Sequence, residues 1–153
     1  MTNTFEVRRV APEVLYDLRR RVLRSDNPDV SVAYVRDTED TSIHYGGFLG
    51  DRVVVSASLY PSQSPTNPEL KTYQLRYVAT DFDVQGKGLG GVVLEVAEDE
   101  LKSLGVEQVW ANGRDTALGF YRAHNWQLIE GSEHLSPETK LPHTIIYKFL
   151  LSY

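Results

Sequence analysis

The sequence predicts an α/β domain with a largely antiparallel front half. Three observations carry this. Strand-like and helix-like stretches succeed one another in the order β-α-β-β-β-α-β-α-β, with one further strand closing the chain. A glycine-rich turn separates the fourth strand from the longest helix, as in a strand–turn–helix unit. Finally, 153 residues that are 41% apolar and 24% charged match one ordinary globular core, so residues 1–153 are expected to form a single domain.

The elements follow in order. Phe5 to Val10 reads as a short strand, and Pro12 opens a helix at a position where its missing N–H does no harm. Leu15, Leu18 and Val22 fall at helical spacing, and Asp26-Asn27-Pro28 ends the segment. Asp37 to Thr41 is a polar loop. Ile43–Leu49 and Val53–Tyr60 are strands joined by a turn at Gly50-Asp51. Pro61, Pro65 and Pro68 punctuate a loop before a strand from Thr72 to Thr80. Between Gly88 and Leu104, the residues Leu89, Val93, Val96, Ala97, Leu101 and Leu104 form one helical stripe that Gly105 terminates. A strand from Glu107 to Ala111, a helix from Asp115 to His124, and strands Trp126–Ile129 and Thr144–Leu150 complete a set of seven strands.

Composition excludes several functions. With no cysteine there is no disulfide, no thiolate metal site and no cysteine nucleophile, and no metal is expected. A net charge of −5 argues against a polyanionic partner such as nucleic acid. No apolar run approaches the roughly 18 residues of a membrane span, and Met1-Thr2-Asn3-Thr4-Phe5-Glu6 has no signal-peptide character. The expectation is a cytoplasmic protein, monomer or homodimer. Four arginines, Arg19, Arg20, Arg21 and Arg24, form the basic cluster that a small anion would need, although such a cluster on a helix is usually a solvated face.

The stretch Gln85-Gly86-Lys87-Gly88-Leu89-Gly90-Gly91 lies between a strand and a helix start. Unpaired N–H groups and the positive end of the helix dipole make such a start a phosphate cradle, and glycine allows close approach. Gly86, Gly88 and Gly91 satisfy the dinucleotide pattern G-x-G-x-x-G. That pattern also requires an acidic residue at the end of the next strand, and here Glu107 stands at its beginning. A Walker loop is excluded because no Gly-Lys-Ser/Thr follows. The pattern Q/R-x-x-G-x-G/A is met by Gln85, Gly88 and Gly90, while the plain structural alternative is a turn that merely tightens a strand–helix junction.

That last pattern, together with Ala117-Leu118-Gly119-Phe120-Tyr121-Arg122-Ala123-His124-Asn125-Trp126, resembles the two signatures of the GNAT superfamily of N-acetyltransferases, the second being A-x-x-F-Y-x-x-x-G-F. The resemblance spans nearly the whole chain. It implies the GNAT fold, a mixed, mostly antiparallel seven-stranded sheet flanked by helices, and acetyl-CoA as co-substrate. It further implies that the coenzyme is held by Val78, Thr80, Gln85, Gly86, Lys87, Gly88, Leu89, Gly90, Gly91, Asn112 and Tyr121. The segments Leu18–Arg24, His44–Phe48, Tyr73–Arg76, Asn112–Arg114 and Pro142-His143 resemble the glyphosate N-acetyltransferase group. That similarity implies substrate-binding roles for Arg24, Arg76, Arg114 and His143, with His143 as general base and Tyr121 as the acid that protonates the leaving thiolate. Asn125-Trp126 departs from the usual Gly-Phe, and Asn is the commonest substitute where φ is positive. The loop Gly131–Leu141 has its own sequence and is where acceptor identity would be set.

The residues bear these roles on chemical grounds. A neutral imidazole accepts a proton near neutral pH. Strand alternation places Gln74, Arg76, Val78 and Thr80 on one face, and an arginine inside a central strand requires an anionic partner, either an internal carboxylate or a substrate. The family also implies that the backbone N–H of Val78 receives the developing oxyanion where two strands splay. No carboxylate occurs between Thr72 and Thr80, so no glutamate base is expected on that strand. His44, His124 and His134 are taken as structural or solvated. The expected function is transfer of acetyl from acetyl-CoA to a small anionic amine, amino-acid-like or aminophosphonate-like. The alternatives are a peptide or polyamine acceptor, or a CoA-binding sensor without turnover.

Overall fold

A computed structural model describes residues 4–25, 27 and 29–150. The strands are β1 (Phe5–Arg9), β2 (Ile43–Leu49), β3 (Arg52–Pro61), β4 (Thr72–Thr80), β5 (Gln108–Arg114), β6 (Gln127–Leu128), β7 (His134–Leu135) and β8 (Pro142–Phe149). A helical segment over 12–23 is α1, and Leu89–Ser103 and Leu118–Ala123 are α2 and α3. One sheet contains all the strands in the order β1-β2-β3-β4-β5-β8-β6, with β7 also on β8. The sheet therefore has eight strands rather than seven. The additional one, β7, is two residues long, too short to show a two-residue period between Gly131 and Pro137.

Every pairing is antiparallel except β4 with β5, which are joined by the long α2 crossover that a parallel pair requires. The register places Ile43, Leu59 and Leu75 opposite one another on one face. They share a core cluster with Val93, Leu94, Ala97 and Leu101 of α2. Val96 and Leu104 belong to the expected stripe but stay exposed, while Leu94, one position from Val93, turns inward. On the other face α1 sends Arg19 to Ser58 and Tyr60. Helices thus cover both sides of the sheet, and among the described residues none is long and apolar enough to cross a membrane.

Several local expectations hold for the anticipated reason. Gly50, Gly105 and Asn125 adopt φ of 61°, 75° and 70°, closing the β2–β3 hairpin, ending α2 and following α3. Asp26 and Pro28 of the expected helix stop lie outside the described residues, and the helical segment ends at Leu23. It is not a uniform α-helix: a 3₁₀ turn (Pro12–Leu15) leads through Tyr16–Leu18 into a π-turn (Arg19–Leu23). The π-turn contains Arg19, Arg20 and Arg21, and the structure separates the arginine cluster into individual tasks. Arg19 is fully buried against Asp37, Arg21 forms a fork with Asp81, Arg24 is buried, and Arg20 stays exposed.

The segment 37–41 is not simply a polar loop. A 3₁₀ turn over Val35–Thr38 buries Asp37, which accepts hydrogen bonds from Arg19, Tyr16, Tyr60 and the backbone N–H of Tyr34. Burial by itself would raise the Asp37 pKa, but these donors outweigh it and hold the carboxyl at about 2. His44 joins the same network through Ser58 Oγ at 2.7 Å and the Asp37 carbonyl at 2.9 Å, which agrees with a structural histidine.

Candidate active site

Sheet irregularity makes the site. β4 and β5 are in register only from Thr72/Gln108 to Gln74/Trp110. Beyond that point β4 runs on to Thr80 with β3, and β5 runs on to Arg114 with β8. A wedge therefore opens between two strands of one continuous sheet. On its β3 side, Ser58 opposes Arg76 and Ser56 opposes Ala79, so two residues of β4, Tyr77 and Val78, face the single position Ala57. This bulge puts Tyr77 at φ 58°, a left-handed conformation that a tyrosine rarely adopts. It also overturns the simple alternation expected for β4: Gln74, Arg76 and Ala79 share a face, and Thr80 lies on the other. The register gives Tyr77 and Val78 no partner on either side.

The wedge is a cavity of about 190 Å³. Arg24, Arg76, Val78, Asn112, Arg114, Tyr121 and His143 all line it. These residues come from five elements or their ends, and 119 positions separate Arg24 from His143 in the chain. Its volume lies below the roughly 300–1,000 Å³ of drug-sized pockets.

Cross-strand pairing builds the basic end. Arg114 and His143 are opposite one another on β5 and β8, and His134 is opposite His143 on β7. The His143 Nδ1 lies 2.8 Å from the Leu141 carbonyl. A carbonyl only accepts, so Nδ1 carries the proton and Nε2 presents a lone pair. Burial pushes the His143 pKa below its usual value; the Leu141 carbonyl opposes this, and the charges of Arg114 and His134 push it further down. Tyr121 is almost wholly buried, edge-on to Phe120 and Trp126, and burial raises its pKa, so its phenol stays protonated at neutral pH.

Arg24 and Arg76 meet an internal carboxylate. Glu138 Oε2 accepts from Arg24 Nη2 at 3.0 Å and Oε1 from Arg76 Nη2 at 2.6 Å. Aromatic faces orient the guanidinium groups: Arg76 lies 4.4 Å over Tyr34 and 5.0 Å over Tyr77, and Arg24 lies 5.8 Å from Tyr77. Arg114 donates to the Leu23 carbonyl at 2.6 Å, tying β5 to the end of α1. Tyr77, His134 and Glu138 also line the cavity, and Tyr34 backs Arg76; sequence reasoning assigned none of them to it. A tyrosine among nine, or a glutamate in a loop, carries no local signal.

Thr80 and the 85–91 loop are not among the residues lining this cavity; they continue from the end of β4 into α2. Gly86 and Gly88 have φ of 81° and 79°, and a Cβ built on either would meet nothing within 4 Å. Their backbone borders open space. Gly88 is the N-cap of a 15-residue helix and supplies no side-chain cap, so the first-turn N–H groups have no side-chain acceptor there. The loop therefore fits a pyrophosphate. Gln85 closes it, donating from Nε2 to the Thr80 carbonyl at 3.0 Å. Gly90 and Gly91 serve packing: a Cβ on Gly90 would come within 3.2 Å of the Thr80 hydroxyl, and one on Gly91 would strike the His124 ring.

Residues 13–126 match the model of the Acetyltransferase (GNAT) family. The chain belongs to that family, and it is an acetyl-CoA-dependent N-acetyltransferase. It is 29% identical over 149 residues to the uncharacterized N-acetyltransferase YitI of Bacillus subtilis (strain 168), an alignment covering 95% of this chain and 96% of that one. Among solved structures, a Lactobacillus plantarum protein provisionally named an N-acetyltransferase superposes with a TM-score of 0.78 at 23% identity, covering 97% of this chain and all of the other. An aminoglycoside 6′-N-acetyltransferase complexed with coenzyme A has a TM-score of 0.71 at 11% identity, with 97% and 98% coverage.

Proposed function

We propose that this single-domain acetyltransferase transfers acetyl directly from acetyl-CoA to the amine of a small anionic acceptor, amino-acid-like or aminophosphonate-like, as the resemblance to the glyphosate N-acetyltransferase group implies. The observation that carries this is the convergence of Arg24, Arg76 and Arg114 with His143 and Tyr121 on one cavity at the β4–β5 wedge. Acetyl-CoA supplies an activated acetyl thioester. Its pyrophosphate would rest on the backbone of Gln85–Gly91, with Thr80, Asn112 and Lys87 nearby. His143 Nε2 takes the proton of the attacking amine, and Tyr121 returns one to the departing thiolate. The Val78 N–H, in a stretch of β4 without a register partner, is the donor for the developing oxyanion. The arginines bind the acceptor's carboxylate or phosphonate through planar, bidentate forks.

A polyamine would meet three guanidinium groups and be repelled, which disfavours that acceptor class. The test is acetyl-CoA-dependent thiol release with acidic amino acids, aminophosphonates including glyphosate, neutral amino acids, polyamines and peptides. Turnover confined to the anionic members is expected. Turnover only with polyamines or peptides would overturn the acceptor assignment, and none at all with acetyl-CoA still bound would point to a sensor. In the same assay Arg76→Ala should raise the acceptor KM about 10–100-fold, the scale of a lost charge-assisted hydrogen bond, and leave the acetyl-CoA KM nearly unchanged. Equal rises in both would count against an arginine-lined acceptor pocket.

A further inference from the structure

We propose that Glu138 is the resting occupant of the acceptor's anion seat and that its displacement sets the enzyme's affinity and selectivity for acceptors. The inference rests on the anionic-acceptor reading above and goes beyond it by naming what the acceptor must replace.

The geometry is that of a substrate carboxylate supplied by the protein. One carboxylate bridges two arginines, with one oxygen on each: Oε2 on Arg24 at 3.0 Å and Oε1 on Arg76 at 2.6 Å. The three partners differ sharply in exposure, with Arg24 at 5%, Arg76 at 21% and Glu138 at 38%. A buried guanidinium is expensive without a counter-charge, so Arg24 needs an anion at all times. Glu138 has the easier route to water, because it sits at the surface end of the bridge and on a loop.

The loop is built to hold that carboxylate there. Ser136 Oγ accepts from the backbone N–H groups of Glu138 and Thr139, and the Ser136 N–H reaches the Leu141 carbonyl at 2.9 Å. The turn is therefore closed on itself between β7 and β8, and a change of the Glu138 side-chain rotamer is enough to vacate the seat. Glu138 offsets one of the two positive charges of Arg24 and Arg76 in the empty pocket, and an incoming carboxylate exchanges with it. Two selective effects follow. An acceptor must present an anion able to span both arginines, since a weaker ligand cannot displace a carboxylate already bound by both. The acceptor KM is also set higher than the arginines alone would give.

Succinate, a dicarboxylate with no amine to acetylate, probes the seat without turnover. Its Kd for the enzyme is measured by calorimetry in wild type, Glu138→Gln, Arg76→Ala and Glu138→Gln/Arg76→Ala, alongside the KM values for L-aspartate and acetyl-CoA. Glu138→Gln keeps the side-chain shape and removes the charge. It should tighten succinate about tenfold and lower the L-aspartate KM in parallel, as expected for removing one charge-assisted competitor. The acetyl-CoA KM should not move, and the added Arg76→Ala should abolish the gain. Unchanged or weaker succinate binding in Glu138→Gln, while Arg76→Ala alone still raises the L-aspartate KM, overturns the role of Glu138 and leaves the anionic-acceptor reading standing. If Arg76→Ala alone has no effect on L-aspartate or succinate, both readings fall together.

Discussion

Replacing His143 with alanine should lower kcat by about 10²–10⁴-fold, the usual worth of a positioned general base, with acetyl-CoA binding intact. The argument rests on the tautomer as much as on position. The Leu141 carbonyl, 2.8 Å from Nδ1, commits that nitrogen as a donor and leaves Nε2 as the acceptor. Burial first, and then Arg114 and His134, push the imidazole pKa below its ordinary value, against the opposing Leu141 bond. The neutral, proton-accepting form is thus favoured at neutral pH. It is lost as pH falls through the lowered pKa, so the acid limb of the kcat profile should lie below about pH 6.5. Arg114→Gln removes a neighbouring positive charge and should shift that limb upward, whereas His143→Ala should erase it. Tyr121→Phe should also depress kcat, because its buried phenol is held in the protonated form that an acid requires. Stopped-flow thiol release across pH, with acetyl-CoA affinity measured separately, checks all three. A His143→Ala enzyme within a few-fold of wild type, with an unaltered acid limb, would remove the histidine from the mechanism.

Asp37→Ala should destabilise the fold by about 3–5 kcal/mol, the scale for removing one partner of a buried ion pair. Arg19 is fully buried and Asp37 nearly so, at 2.9 Å, and Ser58, Tyr60 and the Val32 carbonyl accept from its terminal nitrogens, while the buried Nε has no hydrogen-bond partner among the described residues. Without Asp37, a buried positive charge keeps only neutral partners. For a chain of this length, a loss of about 3–5 kcal/mol lowers Tm by roughly 10 °C. The pH dependence has a definite sign. The Asp37 pKa is about 2 in the folded state, below its unfolded value, so its contribution is fully present above the unfolded pKa of about 4 and is lost as pH falls toward 2. The double replacement Arg19→Met with Asp37→Leu should be milder than Asp37→Ala, since it leaves no unpaired charge. Urea unfolding of the two variants distinguishes the cases. A loss under about 1 kcal/mol for Asp37→Ala would show that the pair is solvated in the native protein.

This network also connects stability to the site. Arg19 lies 4.1 Å from the Tyr77 ring, and the same ring contacts Arg76 and Arg24. Tyr77 is the bulged residue that frees β4 from its neighbours at the wedge. The buried pair therefore braces the wall on which two of the cavity's arginines rest.

Much of this architecture was legible in the chain. Periodicity located seven strands and the three helical segments, because burial of one face imposes a two- or 3.6-residue repeat on any element long enough to show it. Gly50, Gly105 and Asn125 were readable as turn positions because positive φ restricts residue type. The turn between β4 and α2 was readable for the same reason, since Gly86 and Gly88 answer to a backbone requirement that local sequence must satisfy. Resemblance across distant segments named Arg24, Arg76, Arg114, Tyr121 and His143, and all five line one cavity.

The two-residue strand β7, the burial of Asp37 and the flip of side-chain faces at the β4 bulge had no such signature. Each depends on what lies across the sheet rather than along the chain. The same holds for Glu138. Its sequence neighbours are ordinary loop residues, and its meaning comes from two arginines 114 and 62 positions away. By itself the sequence determined which residues bear charge, which backbone positions demand glycine or asparagine, and which stripes seek the core, because those are local costs. Tertiary structure alone decided that β4 and β5 part after Gln74 and Trp110, and that a carboxylate from the β7–β8 loop bridges Arg24 and Arg76. Strand registry and charge pairing are settled by the contacts of remote segments, and no local pattern encodes them.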